Sequence, residues 1–442
     1  MKTAIAFLSA ASLVAIASAF DGQHRLKGDD VLQADANDKP GETKTFGPDV
    51  SVPARQASGR KVYDGVIETK VICKEDGRYL GWPTICRRAN GELLVVFSGD
   101  RDAHVCPWGK VQMIRSADDG KTWSAPETIM NGIVDDRDAG IVEMKDGTLV
   151  LNWFTSVAFK FYEKWWKIQP GDRSDASEYV RHYAKLPREQ VRAALGAWTA
   201  RSTDGGRTWS EPVRTSGQLP HGFTVLKDGR LLAVTRRMGG EGQVLEDEPG
   251  FKEIGHHILC EESRDGGRTW KVLAELHPDT GVKVTDLHEP HLAELPDGRL
   301  VAQIRWHGNP LPESAGKGIV QAESADGGAT WTKMTPTAIT GFPPHLLVLR
   351  DGRLLTVYAK RSEGRCGEYA CLSSDGGGTW DTEHEIPLSP FVNGDLGYPS
   401  SVQLADDTVL TVYYQPCAEG ELPCLQSTRW RLPSGNGTVR VK

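Results

Sequence analysis

The 442-residue sequence lacks three features that would each point to a broad class of protein. It has no excess of basic residues, because 52 Lys and Arg stand against 59 Asp and Glu and the formal net charge is -7. A nucleic-acid-binding protein usually shows a basic face, so this balance argues against nucleic acid as a partner. No interior segment is apolar for long enough to span a membrane. No Cys-x-x-Cys pair or His-rich tract has the spacing of a zinc site, and we expect neither metal nor cofactor.

The N-terminus is typical of an exported protein. Lys2 precedes an apolar run from Ala4 to Ile16, and Ala17-Ser18-Ala19 resembles a cleavage site. We therefore predict a signal peptide at residues 1–19, followed by a polar arm or linker at 20–60. The apolar run is too short for a membrane anchor. The protein is expected to be secreted or periplasmic, and a monomer.

The eight cysteines fit this prediction, since an even number in an exported chain favours disulfides. They are Cys73, Cys86, Cys106, Cys260, Cys366, Cys371, Cys417 and Cys424. Short separations favour the pairs Cys417–Cys424 and Cys366–Cys371.

One polar octet occurs five times, as SADDGKTW, STDGGRTW, SRDGGRTW, SADGGATW and SSDGGGTW. Its Asp accepts nearby backbone N–H bonds in a turn, and its Gly permits a positive φ. Its Trp supplies a large apolar surface that we expect to pack between neighbouring repeats. One or two carboxylates per octet are too few for a calcium loop of the EF-hand type. We therefore interpret the octet as a structural turn.

A second repeated element is a β-hairpin with a D-G or N-G turn between apolar runs, as in HLAELPDGRLVAQI. Six copies occur, with turn residues at Gly91, Gly147, Gly229, Gly298, Gly352 and Asp407. Six hairpins, each followed by more strand, predict an all-β fold, a six-bladed β-propeller over residues 61–442. The widest gap, between Gly147 and Gly229, indicates a partly helical insertion in blade two at about 155–197. Within it, Pro187 to Ala194 has helical spacing, and we interpret the aromatic run Phe161, Tyr162, Trp165 and Trp166 as core rather than a sugar platform.

The octets resemble the Asp boxes of the sialidase superfamily, and the resemblance covers about residues 60–430. It implies a propeller in which the boxes are structural and lie at the periphery of the blades. Because non-enzymatic receptors also carry Asp boxes, function has to be argued from other residues.

The hairpin register locates the mouth of the central channel, where the innermost strands begin. The positions nine residues before each turn residue are Trp82, Asp138, Pro220, Glu289, Pro343 and Tyr398. A Glu beside a Tyr can accept the phenolic proton and make the oxygen a nucleophile. A neutral Tyr suits an anionic sugar, because a carboxylate nucleophile would repel it. Glu289 and Tyr398 could alternatively form a hydrogen bond within a sheet core.

Two segments match the family at residue level. LHEPHLAELPDGRLVAQIR resembles the segment that carries the catalytic Glu and a carboxylate-binding arginine, which implies these roles for Glu289 and Arg305. GDLGYPSSVQLADDTVLTVYY resembles the segment of the nucleophile, which implies that role for Tyr398. A further arginine of the triad is expected at Arg365, with Arg361 as the second choice.

Blade one departs from the family pattern, because Gly81 stands where the first arginine of the triad is expected. Arg101, Arg137 and Arg237 are the candidate substitutes near the predicted mouth. For the acid/base carboxyl, Asp102 is the first choice on the loop after the first hairpin, ahead of Asp100 and His104.

Asp138 of blade two is a further candidate for the acid/base, and we also assign it to the substrate site. His288 and His291 flank Glu289, and His288 is expected to contact substrate.

These residues predict a secreted exo-glycosidase of the sialidase superfamily that hydrolyses terminal α-linked sialic acid, or a related ulosonic acid, with retention. One alternative is a propeller enzyme for another acidic sugar, including a polysaccharide lyase with His288 or His291 as the base. The other is a carbohydrate-binding propeller without catalysis.

Overall fold

The computed structural model describes residues 61–161, 176–238, 255–308, 318–362, 364–391 and 393–433. The predicted signal peptide and arm lie outside these ranges, as do Tyr162, Trp165 and Trp166 of the aromatic run. Within them, no helix has the length and apolar character needed to cross a membrane.

The described strands form six four-stranded antiparallel sheets, which confirms the prediction of a six-bladed β-propeller. Blade one contains β2 (Tyr79–Arg87), β3 (Leu93–Arg101), β4 (Lys110–Ser116) and β5 (Glu127–Met130). Blade two contains β6 (Asp135–Glu143), β7 (Leu149–Ser156), β8 (Ala197–Ser202) and β9 (Val213–Arg214). Blade three contains β10 (Thr224–Val225), β11 (Leu231–Met238), β12 (His256–Ser263) and β13 (Lys271–Leu276).

The last three blades repeat this arrangement, and the first strand of the chain closes the ring. Blade four contains β14 (Leu287–Glu294), β15 (Leu300–Trp306), β16 (Gly318–Ser324) and β17 (Thr335–Thr340). Blade five contains β18 (Phe342–Val348), β19 (Leu354–Lys360), β20 (Gly367–Ser373) and β21 (Ile386–Pro390). Blade six contains β22 (Gly397–Gln403), β23 (Val409–Pro416) and β24 (Pro423–Trp430), with β1 (Val66–Cys73) as its outermost strand. Pairing of β1 with β24 therefore joins the two ends of the described chain.

The six predicted hairpins join the two innermost strands of each blade. The sixth turn has Asp407 instead of Gly, yet Asp407 adopts φ 65° and donates its amide to the Leu404 carbonyl at 3.1 Å. The Gly352 turn makes the same bond to Leu349 at 2.9 Å. The Asp side chain therefore does not change the turn, since Asp tolerates the left-handed region better than most residues.

The Asp boxes are structural turns, as the sequence predicts. In the first box the Ser116 hydroxyl donates to Asp118 at 2.8 Å and accepts the Gly120 amide at 2.9 Å. Thr122 donates to Asp118 through its amide at 2.9 Å and its hydroxyl at 2.6 Å. The other four boxes repeat this pattern around Asp204, Asp265, Asp326 and Asp375. Each box satisfies its carboxylate internally, which leaves no basis for a calcium loop.

The box tryptophans seal the joints between blades. Trp331 packs against a core formed by strands of blades three and four, including Leu232 and Leu292. Trp270 stacks on Phe223 with ring centroids 4.2 Å apart, against a core that also contains Val150 of blade two. The tertiary packing therefore depends on these side chains at every joint that has a box.

The insertion follows β7 in blade two and includes helices α1 (Ala176–Lys185) and α2 (Arg188–Ala194). The predicted helix at Pro187–Ala194 is thus confirmed. Phe159, Tyr179 and Val191 of the insertion pack with Val105 and Cys106 of the β3–β4 loop. The insertion therefore braces the loop on which the sequence places the acid/base carboxyl.

One predicted disulfide is present and the other is wrong. Cys417 and Cys424 are bonded across the turn between β23 and β24, with Cα atoms 6.7 Å apart. Cys366 and Cys371 are buried and are not bonded to each other. Five residues of nearly extended chain separate them by about 16 Å, well beyond the roughly 4.4–6.8 Å that a disulfide spans.

Candidate active site

The inner strands are distorted at the positions that the hairpin register singles out. Trp82, Asp138, Glu289 and Tyr398 have positive φ values of 54°, 48°, 31° and 51°. The strand pairing shifts at the same points in blades one, two, four and six. Left-handed conformations cost L-residues about 1–2 kcal/mol each. Such strain clusters at functional sites, so these positions mark the candidate site.

Tyr398 and Glu289 form a hydrogen-bonded pair between blades six and four. The Tyr398 hydroxyl donates to Glu289 Oε1 at 2.6 Å. Burial, together with the nearby Glu289 and Asp138 carboxylates, raises the pKa of Tyr398 well above its usual value. Burial also favours a raised pKa at Glu289, but Arg305, His288 and the Tyr398 hydrogen bond outweigh it and lower that pKa. The site therefore holds a neutral phenol beside a carboxylate that can accept its proton.

Two arginines with buried Nε atoms flank this pair. Arg305 Nη1 donates to Glu289 Oε2 at 2.6 Å, and its guanidinium lies 4.0 Å from the centre of the Phe342 ring. The Arg361 guanidinium lies 5.8 Å from the Tyr398 ring centre and donates to the Tyr414 hydroxyl at 3.3 Å. Among the described residues, the buried Nε atoms of Arg305 and Arg361 have no hydrogen-bond partner. These donors can bind an anion that enters the site.

Three histidines from blades three, four and five lie beneath the pair. The rings of His291 and His345 stack 4.4 Å apart, and the His221 ring is 6.0 Å from that of Tyr398. Burial lowers the pKa of all three, so they are neutral at physiological pH. The part of the chain that the structure describes contains no cluster of His, Cys, Asp and Glu that could hold a metal. The trio therefore forms an uncharged floor.

Comparisons with known proteins identify the family. The BNR repeat-like domain family matches residues 189–411, about half of the chain. The chain belongs to the sialidase superfamily. Superfamily membership explains the Asp boxes and the six-bladed ring, and it agrees with the resemblance seen in the sequence.

Three similar proteins show how distant these likenesses are. A sialidase of Bacteroides fragilis (strain YCH46) is 24% identical over 373 residues, which cover 75% of this chain and 59% of the relative. The chain thus spans less than two thirds of that protein's length. A protein of unknown function from Dyadobacter fermentans DSM 18053 has a TM-score of 0.64 at 24% identity, covering 83% of this chain and 99% of its own. A variant of the NanB sialidase from Streptococcus pneumoniae has a TM-score of 0.55 at 15% identity, covering 80% and 68%. At these identities the structural likeness establishes the fold alone.

Not every arginine predicted for this superfamily member lies at the site. Arg365 is about half exposed and its nearest carboxylate is Glu385, at 3.8 Å. Arg361, the second choice, lies with Tyr398 instead. Arg237 is exposed, whereas its neighbour Arg236 is buried close enough to Glu289 for the two charges to interact. Successive side chains of a strand point to opposite faces, so only one of Arg236 and Arg237 can face the site, and composition does not reveal which one.

Arg101 is buried, and its guanidinium is already hydrogen-bonded to a carboxylate within the protein. Its guanidinium donates to Asp135 at 2.6 and 2.8 Å, and to the His104 carbonyl at 3.1 Å. This bidentate pair joins blade one to blade two. Arg101 is therefore a structural cation rather than one that faces substrate.

The predicted acid/base candidates differ in their surroundings. Asp102 accepts hydrogen bonds from Arg78 and from the Trp108 indole, both at 2.5 Å. Asp100 is paired with Arg78 and Lys110. His104 contacts Tyr79 at 2.9 Å, and burial lowers its pKa to about 4. Asp138, by contrast, interacts electrostatically with Glu289 and Tyr398.

His288 lies next to Glu289, opposite Arg305 in the strand pairing, and stacks on His307 at 4.2 Å. His288 therefore lies beside Glu289, and its contact with substrate stays a prediction. His291 belongs to the buried floor, where its Nδ1 accepts the Leu346 amide at 2.9 Å.

A second count along the hairpins could have found Arg236. The residues seven positions after the turn residues are Ser98, Phe154, Arg236, Arg305, Ala359 and Tyr414. In five blades this residue pairs with the residue just before the position that lies nine residues ahead of the turn residue. The second strands therefore also point defined residues at the site, and the same count would have singled out Arg236.

Proposed function

We propose that this protein is a retaining exo-glycosidase that hydrolyses terminal α-linked sialic acid, or a related ulosonic acid, from glycoconjugates. The observation that carries the proposal is the 2.6 Å hydrogen bond from the Tyr398 hydroxyl to Glu289. A tyrosine that attacks the anomeric carbon needs a base for its proton, and Glu289 is in hydrogen-bond reach.

The surrounding charges support an anionic sugar as substrate. Arg305 and Arg361 present buried Nε–H donors beside the pair, and the buried Arg236 contributes positive charge nearby. A carboxylate is the natural partner of a planar guanidinium, because the two form parallel hydrogen bonds. A phenol also spares the substrate the repulsion that a carboxylate nucleophile would cause.

In such a reaction Arg305 can pair either with Glu289 or with the substrate carboxylate. It forms an ion pair with Glu289, and a bound substrate carboxylate would compete for the same guanidinium. Withdrawal of Arg305 would raise the pKa of Glu289 and make it a stronger base when substrate is bound.

The test is hydrolysis of 4-methylumbelliferyl α-sialoside by the parent chain and by Tyr398→Phe, Glu289→Gln and Tyr63→Phe. Tyr63 is buried against Trp430, away from the site, and is the matched control. We expect the first two variants to lose at least a hundredfold in kcat and Tyr63→Phe to retain it, with the α-anomer of the sugar released first. Loss of retention, or full activity in Tyr398→Phe, would contradict a tyrosine nucleophile.

The rival functions give different results in the same assays. A lyase releases an unsaturated product that absorbs ultraviolet light, and a binding module binds the sugar without turnover. If the folded parent cleaves no sialoside, uronates and other ulosonic acids are tested next, because Gly81 departs from the family pattern.

We also propose that the chain is exported after cleavage before Phe20. N-terminal sequencing of the protein recovered from the periplasm or medium tests this, and a retained Met1 would contradict it.

A further inference from the structure

Blade one has no room for a cation that faces substrate. A side chain at Gly81 would begin 3.1 Å from Tyr79 Cε1 and 3.8 Å from Tyr414 Cγ. The next residue, Trp82, is only 1% exposed and packs against both tyrosine rings, with centroids 5.6 and 5.8 Å away. This side of the channel is therefore a packed aromatic wall.

The ionisable groups of blade one are also engaged elsewhere. Arg101 is bound to Asp135 through two hydrogen bonds, and Asp102 is bound to Arg78 and Trp108. Moving either group to a substrate would break a charge-assisted hydrogen bond, which is stronger than a neutral one. Neither is poised for a new ligand.

Blade two, in contrast, holds an arginine with open hydrogen-bonding capacity. The Arg137 guanidinium lies 4.4 Å from the centre of the Trp82 ring, which fixes it from one face. Its nearest carboxylate oxygens are 3.6 Å away on Asp135 and 3.9 Å away on Asp138, both beyond hydrogen-bond distance. Arg137 is 7% exposed, and its Nε has no hydrogen-bond partner among the described residues. A buried guanidinium with unused donors is a site for an anion.

The adjacent Asp138 is equally under-satisfied. It is 5% exposed, and its Oδ1 is buried without a hydrogen-bond partner in the described part of the chain. Its backbone amide donates to Ser98 Oγ at 2.9 Å, which holds the strained residue in place. Burial, reinforced by Glu289 and opposed by Arg137, raises the pKa of the carboxyl to about 7. Such a carboxyl is protonated part of the time at neutral pH, as a general acid requires.

The position of Asp138 in the ring brings it to the reacting pair. Asp138, Glu289 and Tyr398 occupy the same register position in blades two, four and six, so every second blade contributes one group. Glu289 and Tyr398 meet at 2.6 Å from two of these blades. The third equivalent residue faces the same centre, and its charge is felt by Tyr398.

We propose that blade two carries two roles that blade one does not fill, with Asp138 as the acid/base and Arg137 as the third substrate-binding cation. This inference rests on the proposed glycosidase function. Tyr398 oxygen bonds to the anomeric carbon and its proton passes to Glu289, while the glycosidic C–O bond breaks and the leaving oxygen takes the Asp138 proton. Water then gives a proton to Asp138 and its oxygen to the anomeric carbon, and the Tyr398 oxygen leaves with the proton from Glu289.

The acid/base role is tested by the dependence of rate on leaving group. Asp138→Asn and Asp102→Asn are compared on 4-nitrophenyl and alkyl glycosides of the sugar that the parent cleaves. We expect Asp138→Asn to lose about 10²–10⁴-fold in kcat/KM on the alkyl glycoside, and less than about tenfold on the nitrophenyl glycoside, whose leaving group needs no proton. Azide should restore turnover of the nitrophenyl substrate as a glycosyl azide.

Several outcomes would overturn the assignment. One is the same leaving-group signature in Asp102→Asn, and another is an equal loss on both substrates in Asp138→Asn. Mass-spectrometric detection of the Tyr398 adduct in Asp138→Asn shows that the variant is folded and that its nucleophile works. A parent that cleaves no acidic glycoside overturns the proposed function itself, which is a different result from an active parent with an unaffected Asp138→Asn.

The role of Arg137 is tested with the substrate and its neutral methyl ester. Arg137→Ala should raise KM for the acid at least tenfold and leave KM for the ester unchanged, and Arg137→Lys should recover part of the loss. Arg299→Ala is the control, because Arg299 pairs with Asp297 and Glu323 in the outer part of blade four. An equal effect of Arg137→Ala on acid and ester would contradict an anion-binding role.

Discussion

Replacing Arg361 by alanine should weaken catalysis on an acidic glycoside far more than replacing Arg365. Arg361 faces the site, where its only described hydrogen bond is a long one to Tyr414 at 3.3 Å and its Nε is unused. A substrate carboxylate can accept two charge-assisted bonds from it, together about 3 kcal/mol. At 1.36 kcal/mol per tenfold change, kcat/KM should fall roughly 100-fold.

The same substitution should leave the fold almost intact. Glu368 lies close enough to interact with Arg361, but burial raises the pKa of Glu368 well above its usual value. Glu368 is therefore neutral. The Glu289 and Asp395 carboxylates, which also interact with Arg361, keep hydrogen bonds from Arg305 and Tyr79 when the arginine is removed. We expect a loss of about 1 kcal/mol in the free energy of unfolding, the value of one ordinary hydrogen bond.

Arg365→Ala is the matched control, since an exposed ion pair at 3.8 Å contributes about 0–1 kcal/mol to stability and nothing to the site. The assay is kcat/KM on the acidic glycoside that the parent cleaves best, with thermal unfolding of both variants. A large loss in Arg365→Ala with a small one in Arg361→Ala would refute the placement of the guanidinium groups. Equal losses in both would indicate a general effect of lowered positive charge.

Three further predictions concern stability. Trp331→Ala should lower the free energy of unfolding by about 3–5 kcal/mol, because the indole packs between blades three and four. Lys333→Ala, at an exposed position nearby, should change the free energy of unfolding by less than about 0.5 kcal/mol. Chemical denaturation measures both variants. Hydrogen bonds from Thr330 lower the pKa of Asp326 to about 2. In Asp118 the Thr122 hydrogen bonds outweigh burial and lower the pKa to about 2. Because these folded-state pKa values lie below the unfolded value of 3.8, the contribution of both carboxylates to stability is present at neutral pH and is lost as the pH falls from 3.8 towards 2. Unfolding measured between pH 6 and pH 2 checks this, and Asp326→Asn should flatten the profile. Cys417→Ser should cost about 2–3 kcal/mol for a loop of this length, and thiol titration of the denatured, unreduced parent should find six free thiols; eight would contradict the Cys417–Cys424 bond.

Much of the fold could be predicted because its signals are local. A D-G turn, the apolar alternation around it and the hydrogen bonds inside one Asp box all lie within a dozen residues. Their recurrence six and five times along the chain predicts a ring of blades before any long-range contact is known. The same register led from the turns to Asp138, Glu289 and Tyr398, because each blade repeats one backbone path.

The remaining parts depend on contacts that separation along the chain does not reveal. Cys366 cannot reach Cys371 because pairing with β19 and β21 keeps the strand that begins at Gly367 extended, and the short separation alone did not reveal this pairing. Whether Asp102 is available depends on Arg78 and on Trp108, which the insertion braces in turn.

The sequence by itself determined the number of blades, the structural role of the Asp boxes and the register that puts Glu289 and Tyr398 at equivalent positions of their blades, since all three follow from repeated short-range geometry. The tertiary structure alone decided which arginines face that pair. Arg101 and Arg137 belong to neighbouring blades and both lie near Trp82, but Asp135 binds only the first within hydrogen-bond distance. The physical reason is that charge pairing and burial are set by groups from different blades, and these become neighbours only when the ring closes.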